Sequence, residues 1–183
     1  MARILVLGAG FAGLWAALGA ARKRDEIGAR AADTEILVVD RNAYHNIRVR
    51  NYEVDLGDVA LPLKDLLDPV GVRHRVADVG AIDPAKREVV VKTSSGADTL
   101  TYDRLVLTTG SELVRPAISG LAAHGFDVDT FEAATRLNTH LAALGRQPPS
   151  PARASSEPAR HAERLCSPAH YCSPHCSPRW PSK

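Results

Sequence analysis

Residues 4–40 read ILVLGAGFAGLWAALGAARKRDEIGARAADTEILVVD. Four apolar residues, 4–7, run straight into Gly8-Ala9-Gly10-Phe11-Ala12-Gly13. That is a GxGxxG spacing at the end of an apparent buried strand. Residues 14–21 are strong helix formers without proline. A second apolar run, 36–39, ends on Asp40. The order is strand, glycine turn, helix, strand, acid.

This order is that of a dinucleotide-binding βαβ unit, and each part has a physical task. Gly8 permits a tight turn out of the strand. Gly10, lacking a side chain, lets a pyrophosphate approach the backbone. Gly13 lets the helix lie close to the sheet. The N–H groups and partial positive charge at the helix start favour an anion, with Ala9, Phe11 and Ala12 completing the loop. Asp40 is suited to accept hydrogen bonds from ribose hydroxyls. Two other readings compete. One is a structural glycine turn with no ligand. The other treats uncharged residues 4–21 as a signal peptide or membrane span. Glycines interrupt that run, and a targeting segment leaves the partner strand at 36–39 unexplained.

Working outward, residues 41–53 are polar and aperiodic, and read as a loop with a short helix. They leave the carboxyl end of the second strand, which faces the ligand crevice in a doubly wound sheet. Arg41, His45, Arg48 and Arg50 are thereby placed to meet phosphate or a ring. The alternative is a solvated basic loop paired with Glu53 and Asp55. Residues 61–67 suggest a short helix with proline near its start, ended by Pro69 and Gly71. Residues 72–79 suggest a strand. Residues 88–92, a connection at 93–98 and residues 99–102 suggest an antiparallel hairpin. Residues 105–107 suggest a strand ending on Thr108-Thr109-Gly110. Residues 114–125 read as loop or linker. Residues 131–144 read as a helix capped by Asp129 or Thr130.

The net charge of +2 conceals a division. From Arg146 onward there are six basic and two acidic residues, out of 23 and 21 in the chain. The body thus carries −2 and the tail +4, and nothing in the body suggests a nucleic-acid surface. All three cysteines, Cys166, Cys172 and Cys176, lie in the tail. A body without cysteine suits a cytoplasmic protein. The tail, 146–183, holds eight prolines and seven serines, with Leu165 its one aliphatic residue beyond alanine. Such a composition reads as disordered. A zinc site from Cys166, His170, Cys172, His175 and Cys176 has a spacing unlike common fingers, so no metal site is expected. The abrupt change is read as out-of-frame translation, testable in the other two frames of the DNA.

Together, GAGFAGLWAA, VVDRNAYHNIRVRNYE and YDRLVLTTGS resemble the FAD/NAD(P)-dependent pyridine-nucleotide oxidoreductases, and within them the type II NADH dehydrogenases. The resemblance covers about residues 1–145. It implies a Rossmann-like FAD-binding domain of α/β class, a parallel sheet with an antiparallel excursion. It also implies that the domain is incomplete at its C-terminal side. It implies FAD in this βαβ unit, NAD(P)H as co-substrate in a second GxGxxG domain, and a quinone or similar small-molecule acceptor. It further implies that Gly8, Gly10 and Gly13 cradle the FAD pyrophosphate and that Asp40 holds the adenosine ribose. Val79 would meet the adenine through its backbone, and Thr109 and Gly110 would line the site. Members carrying a dithiol relay place a cysteine pair after the second strand; residues 41–53 contain none. With one GxGxxG in the chain, turnover of NAD(P)H by the chain alone is not expected. A peripheral position at the inner membrane face is what quinone-reducing members imply. A non-catalytic FAD module and an NAD-dependent dehydrogenase fragment remain the alternatives. Oligomeric state is not read from the sequence.

Overall fold

The computed structural model describes residues 2–28 and 33–144. The expectations placed on the tail, its disorder, frame and cysteines, lie outside the described residues.

A four-stranded parallel sheet forms the centre. Its order is β5 (Arg73–Val76), β2 (Thr34–Asp40), β1 (Ala2–Leu7), β9 (Arg104–Leu107). Helix α1 (Phe11–Ile27) links β1 to β2 and ends at Gly28, whose φ of +67° suits glycine. Its buried stripe is Gly13, Ala17 and Ala21. Small residues at this four-residue spacing let the helix axis approach the sheet.

The alternation of β1 and β2 sorts two cores. Val6, Ile36 and Val38 face α1 and the short helix α2 (Leu63–Leu67), packing with Ala17, Ala21, Leu63 and Leu67. Leu5, Leu7, Leu37 and Val39 face the other way, onto Val89, Val91 and Leu100. Those come from a second, antiparallel sheet of β6 (Asp78–Asp83), β7 (Glu88–Thr93) and β8 (Gly96–Thr101). The domain is therefore helices, parallel sheet and antiparallel sheet in three layers, the expected α/β class with its antiparallel excursion. Each fully buried leucine or valine in the two cores contributes roughly 1.5–3 kcal/mol.

Several boundaries differ from expectation. Residues 72–79 are two strands, β5 and β6. The break falls at Ala77, whose N–H bonds the Asp40 carbonyl at 2.8 Å while the chain passes from one sheet to the other. The hairpin turn is shorter than expected, because Thr93 already pairs with Gly96. The polar loop after Asp40 contains β3 (Tyr44–Asn46), which pairs with β4 (Ala60–Pro62), and a 3₁₀ turn at Arg48–Arg50. Residues 60–62 thus belong to a strand, and the helix expected from 61 starts at Leu63. Residues 114–125 include a one-turn helix, α3 (Leu121–His124). Helix α4 (Phe131–Ala143) has the expected cap: Thr130 Oγ1 accepts from the Ala133 N–H at 3.2 Å.

At the amino edge of the parallel sheet, Glu35 is 7% exposed. Its carboxylate accepts from Arg3 Nε at 2.6 Å and from Arg73 at 2.7 Å. A buried carboxylate is tolerated because two guanidiniums complete its hydrogen bonds. Glu35→Gln is expected to destabilise the fold by about 2 kcal/mol. The check is a lowered urea midpoint with an unchanged m-value; an unshifted midpoint would show the pair to be energetically idle.

Candidate functional site

Three strand ends meet at the carboxyl edge of the parallel sheet: β1 at Gly8, β2 at Asp40 and β9 at Thr108. β1 lies between β2 and β9, so the chain departs to opposite sides here, the topological position at which such sheets bind ligands.

The glycine loop is fastened at Gly8 and Ala9. The Gly8 N–H donates to Val39 O at 2.8 Å, and its φ is +104°. A Cβ on Gly8 would overlap the Thr108 carbonyl. Thr108 Oγ1 donates to Leu7 O at 2.8 Å and Gly8 O at 3.1 Å. The Ala9 N–H donates to Asp40 Oδ2 at 2.6 Å, and the other oxygen of that carboxylate accepts from the Asn42 N–H at 2.8 Å. A Cβ on Gly13 would overlap Gly8 O and lie 2.6 Å from Thr108 Oγ1.

Gly10 differs. A Cβ there meets nothing within 4 Å, and its backbone, φ −65° and ψ −176°, is open to any residue. Gly10 is also the cap residue of α1, and no side chain caps the helix or supplies an acid to its first turn. The 17-residue helix therefore opens with unpaired donors and its positive pole.

A cleft of about 740 Å³ lies beside this loop, lined by Gly8, Asp40, Arg41, Val79, Thr109 and Gly110 among others. A neighbouring hollow of about 340 Å³ is lined by residues 8–12, Asp40, Arg48, Thr109 and Gly110 among others. Eleven of the twelve residues proposed from sequence thus border this region. Gly13 borders neither space and instead packs beneath Gly8.

The basic residues after β2 separate by role. Arg41 is exposed and lies 3.5 Å from Asp78. Arg48 pairs with Asp129, which ties the hollow's rim to the approach of α4. Arg50 is bidentate to Glu53 at 2.8 and 2.7 Å, the solvated pairing that competed with ligand contact in the sequence. His45 is buried at 3% exposure and bonds Ala9 O, so it faces the loop's underside and not the cleft. Asn46 and Asn51 exchange side-chain hydrogen bonds, and Asn51 donates to Val128 O at 3.1 Å. Thr108 was not singled out by sequence. Its position directly before Thr109-Gly110, at the end of an apolar run, was the available signal.

The rim carries one tuned pair. Tyr44 donates its hydroxyl to Glu132. Burial, followed by this hydrogen bond, raises the phenol above its ordinary range, and the same bond holds the Glu132 carboxyl below its own. A carboxyl depressed in the folded state stabilises above its ordinary pKa, and that stability is lost as pH falls through the folded value. Tyr44→Phe is expected to cost about 1 kcal/mol at neutral pH and nothing once Glu132 is protonated. Urea midpoints of wild type and variant measured from pH 7 down to pH 3 should converge; a constant gap would remove the carboxylate from the account.

Against known sequences, the family described as pyridine nucleotide-disulphide oxidoreductase matches residues 2–151. The chain belongs to this family. A NADH dehydrogenase-like protein of Mycobacterium tuberculosis is 52% identical over 155 residues, covering 85% of this chain and 38% of the relative. Demethylphylloquinone reductase of Synechocystis is 31% identical over 148 residues, covering 78% of this chain and 36% of the relative. The chain therefore spans less than two fifths of these relatives' length. Among solved structures, the sulfide:quinone oxidoreductase of Aquifex aeolicus aligns with a TM-score of 0.65 at 24% identity, covering 81% of this chain and 33% of that one. NDH2 of Plasmodium falciparum in complex with NADH aligns at 0.62 and 12% identity, covering 75% and 28%. At these identities the structural matches show the fold. Among those residues no helix is long and apolar enough to cross a membrane, and no group of three or more His, Cys, Asp or Glu is arranged to hold a metal.

Proposed function

We propose that residues 1–145 are a flavin-binding unit that holds FAD, serving an oxidoreductase that passes electrons from NAD(P)H to a quinone or similar small acceptor. The carrying observation is Gly10. Packing within the domain accounts for Gly8 and Gly13 as glycines, whereas nothing in the domain fills the space over Gly10. A diphosphate over the uncapped start of α1 accounts for both the vacant space and the unpaired donors.

In this reading, the N–H groups at residues 10–12 bind the pyrophosphate, and Asp40 accepts from the adenosine ribose. Each Asp40 oxygen already takes one backbone N–H and retains capacity for a hydroxyl. Val79 borders the adenine end, while Thr109 and Gly110 form the wall opposite the loop. Arg41 and Arg48 flank the phosphates, each restrained by an acid. When bound, FAD supplies the hydride and electron chemistry; the residues bind, orient and shield it. The relatives named as NADH dehydrogenase-like and as demethylphylloquinone reductase support the nicotinamide donor and quinone-class acceptor. A cytoplasmic location, peripheral to the membrane, is part of the same proposal.

The test is the visible spectrum of the purified chain with and without added FAD. Flavin absorbance that co-elutes with the protein in gel filtration is the expected result. A folded chain that retains no flavin but binds NAD would replace this reading with a nicotinamide-binding one.

A further inference from the structure

The sequence placed His45 among residues facing a ligand, yet it lies under the glycine loop, with Phe11 against it edge-on at a centroid distance of 4.9 Å and an interplanar angle of 89°. Its Nδ1 sits 2.7 Å from Ala9 O. A carbonyl oxygen can only accept, so Nδ1 carries the proton. On the other side of the same residue, the Ala9 N–H is held by Asp40. Ala9 is thus gripped at both of its backbone polar groups by two side chains from the β2–β3 region.

The grip has a directional consequence. All described peptides are trans, so the C=O of residue 9 and the N–H of residue 10 point opposite ways. Drawing Ala9 O inward, toward a buried imidazole, turns the Gly10 N–H outward, toward the hollow lined by residues 8–12. A reversed peptide would present a carbonyl lone pair to that space and repel an anion. Gly10, with no side chain, has little intrinsic bias against such a reversal.

We propose that His45 is a positioning residue: it fixes the Ala9–Gly10 peptide so that the loop offers a donor, and not an acceptor, to a diphosphate. The proposal rests on the flavin reading for its ligand, and on the apo chain alone for its mechanism. The geometry asks for a donor at the Nδ1 position. Asparagine carries its amide nitrogen there; glutamine carries it one atom further out, and leucine has none.

The experiment compares His45→Asn, His45→Gln and His45→Leu in the full chain, by FAD titration and by amide hydrogen exchange of residues 9–13 without ligand. His45→Asn is expected to stay near wild type in both. His45→Gln and His45→Leu are expected to bind FAD roughly tenfold more weakly and to exchange the loop amides faster, the loss of about one well-made hydrogen bond. A merely space-filling role predicts instead that loss follows side-chain volume, with His45→Asn worst. Equal loop exchange in all variants overturns the proposal. If the wild type itself fails to take up FAD, the flavin reading falls, and the exchange pattern still decides the role of His45.

Discussion

Gly13→Ala is expected to lower stability by about 3 kcal/mol or more, enough to shift the thermal midpoint by about 10 °C. The added methyl would collide with the Gly8 carbonyl and with Thr108 Oγ1, and neither can yield cheaply. Gly8 O is fixed backbone in the turn out of β1, and Thr108 Oγ1 is committed to Leu7 O and Gly8 O. Relief requires α1 to move away from the sheet, which opens the contact along Ala17 and Ala21. Thermal denaturation followed by circular dichroism measures the loss. A midpoint within a degree of wild type would mean the helix is not seated as described.

Gly10→Ala is expected to do the reverse: leave the fold intact and remove the ligand. The backbone at Gly10 suits alanine, and the methyl meets no protein atom within 4 Å, so stability should change by less than about 1 kcal/mol. The methyl does occupy the space over the loop, and FAD affinity is expected to fall on the order of 100-fold, about 2.7 kcal/mol. Calorimetric titration with FAD on a variant of unchanged thermal midpoint makes the measurement. Undiminished FAD binding would place the diphosphate elsewhere and defeat the proposed use of the loop. The contrast between the two glycines separates what the fold requires from what a ligand requires.

The βαβ unit was legible because its signals are redundant. Uninterrupted apolar runs mark strands buried on both faces, and the glycine spacing marks the turn between strand and helix. The hairpin of β7 and β8 was legible for similar reasons, with its valines and its Ser-Ser-Gly turn. The split at Ala77 was not. Residues 72–79 carry one continuous strand-like composition, and the change of sheet is marked by a backbone hydrogen bond from Ala77 to Asp40, which leaves no side-chain trace. The pairing of Tyr44–Asn46 with Ala60–Pro62 was equally hidden, since three-residue strands are too short to show a period. His45 was misplaced because a polar loop gives no sign of which member is buried. Its role depends on a carbonyl 36 residues earlier in the chain.

Thr108 carries an implication for the order of assembly. It reaches Leu7 across 101 residues, and the same side chain abuts the positions of Gly8 and Gly13. The glycine loop is encoded in the first thirteen residues, but its back wall comes from a strand synthesised last among those of the parallel sheet. On the ribosome, a nascent chain that has not yet extruded residues 104–110 has β1 with a single neighbour and a glycine turn with no threonine behind it. On the proposed flavin reading, cofactor loading waits for closure of the longest loop in the sheet, so that flavin capture reports completed topology and is not an early nucleus around which the chain condenses.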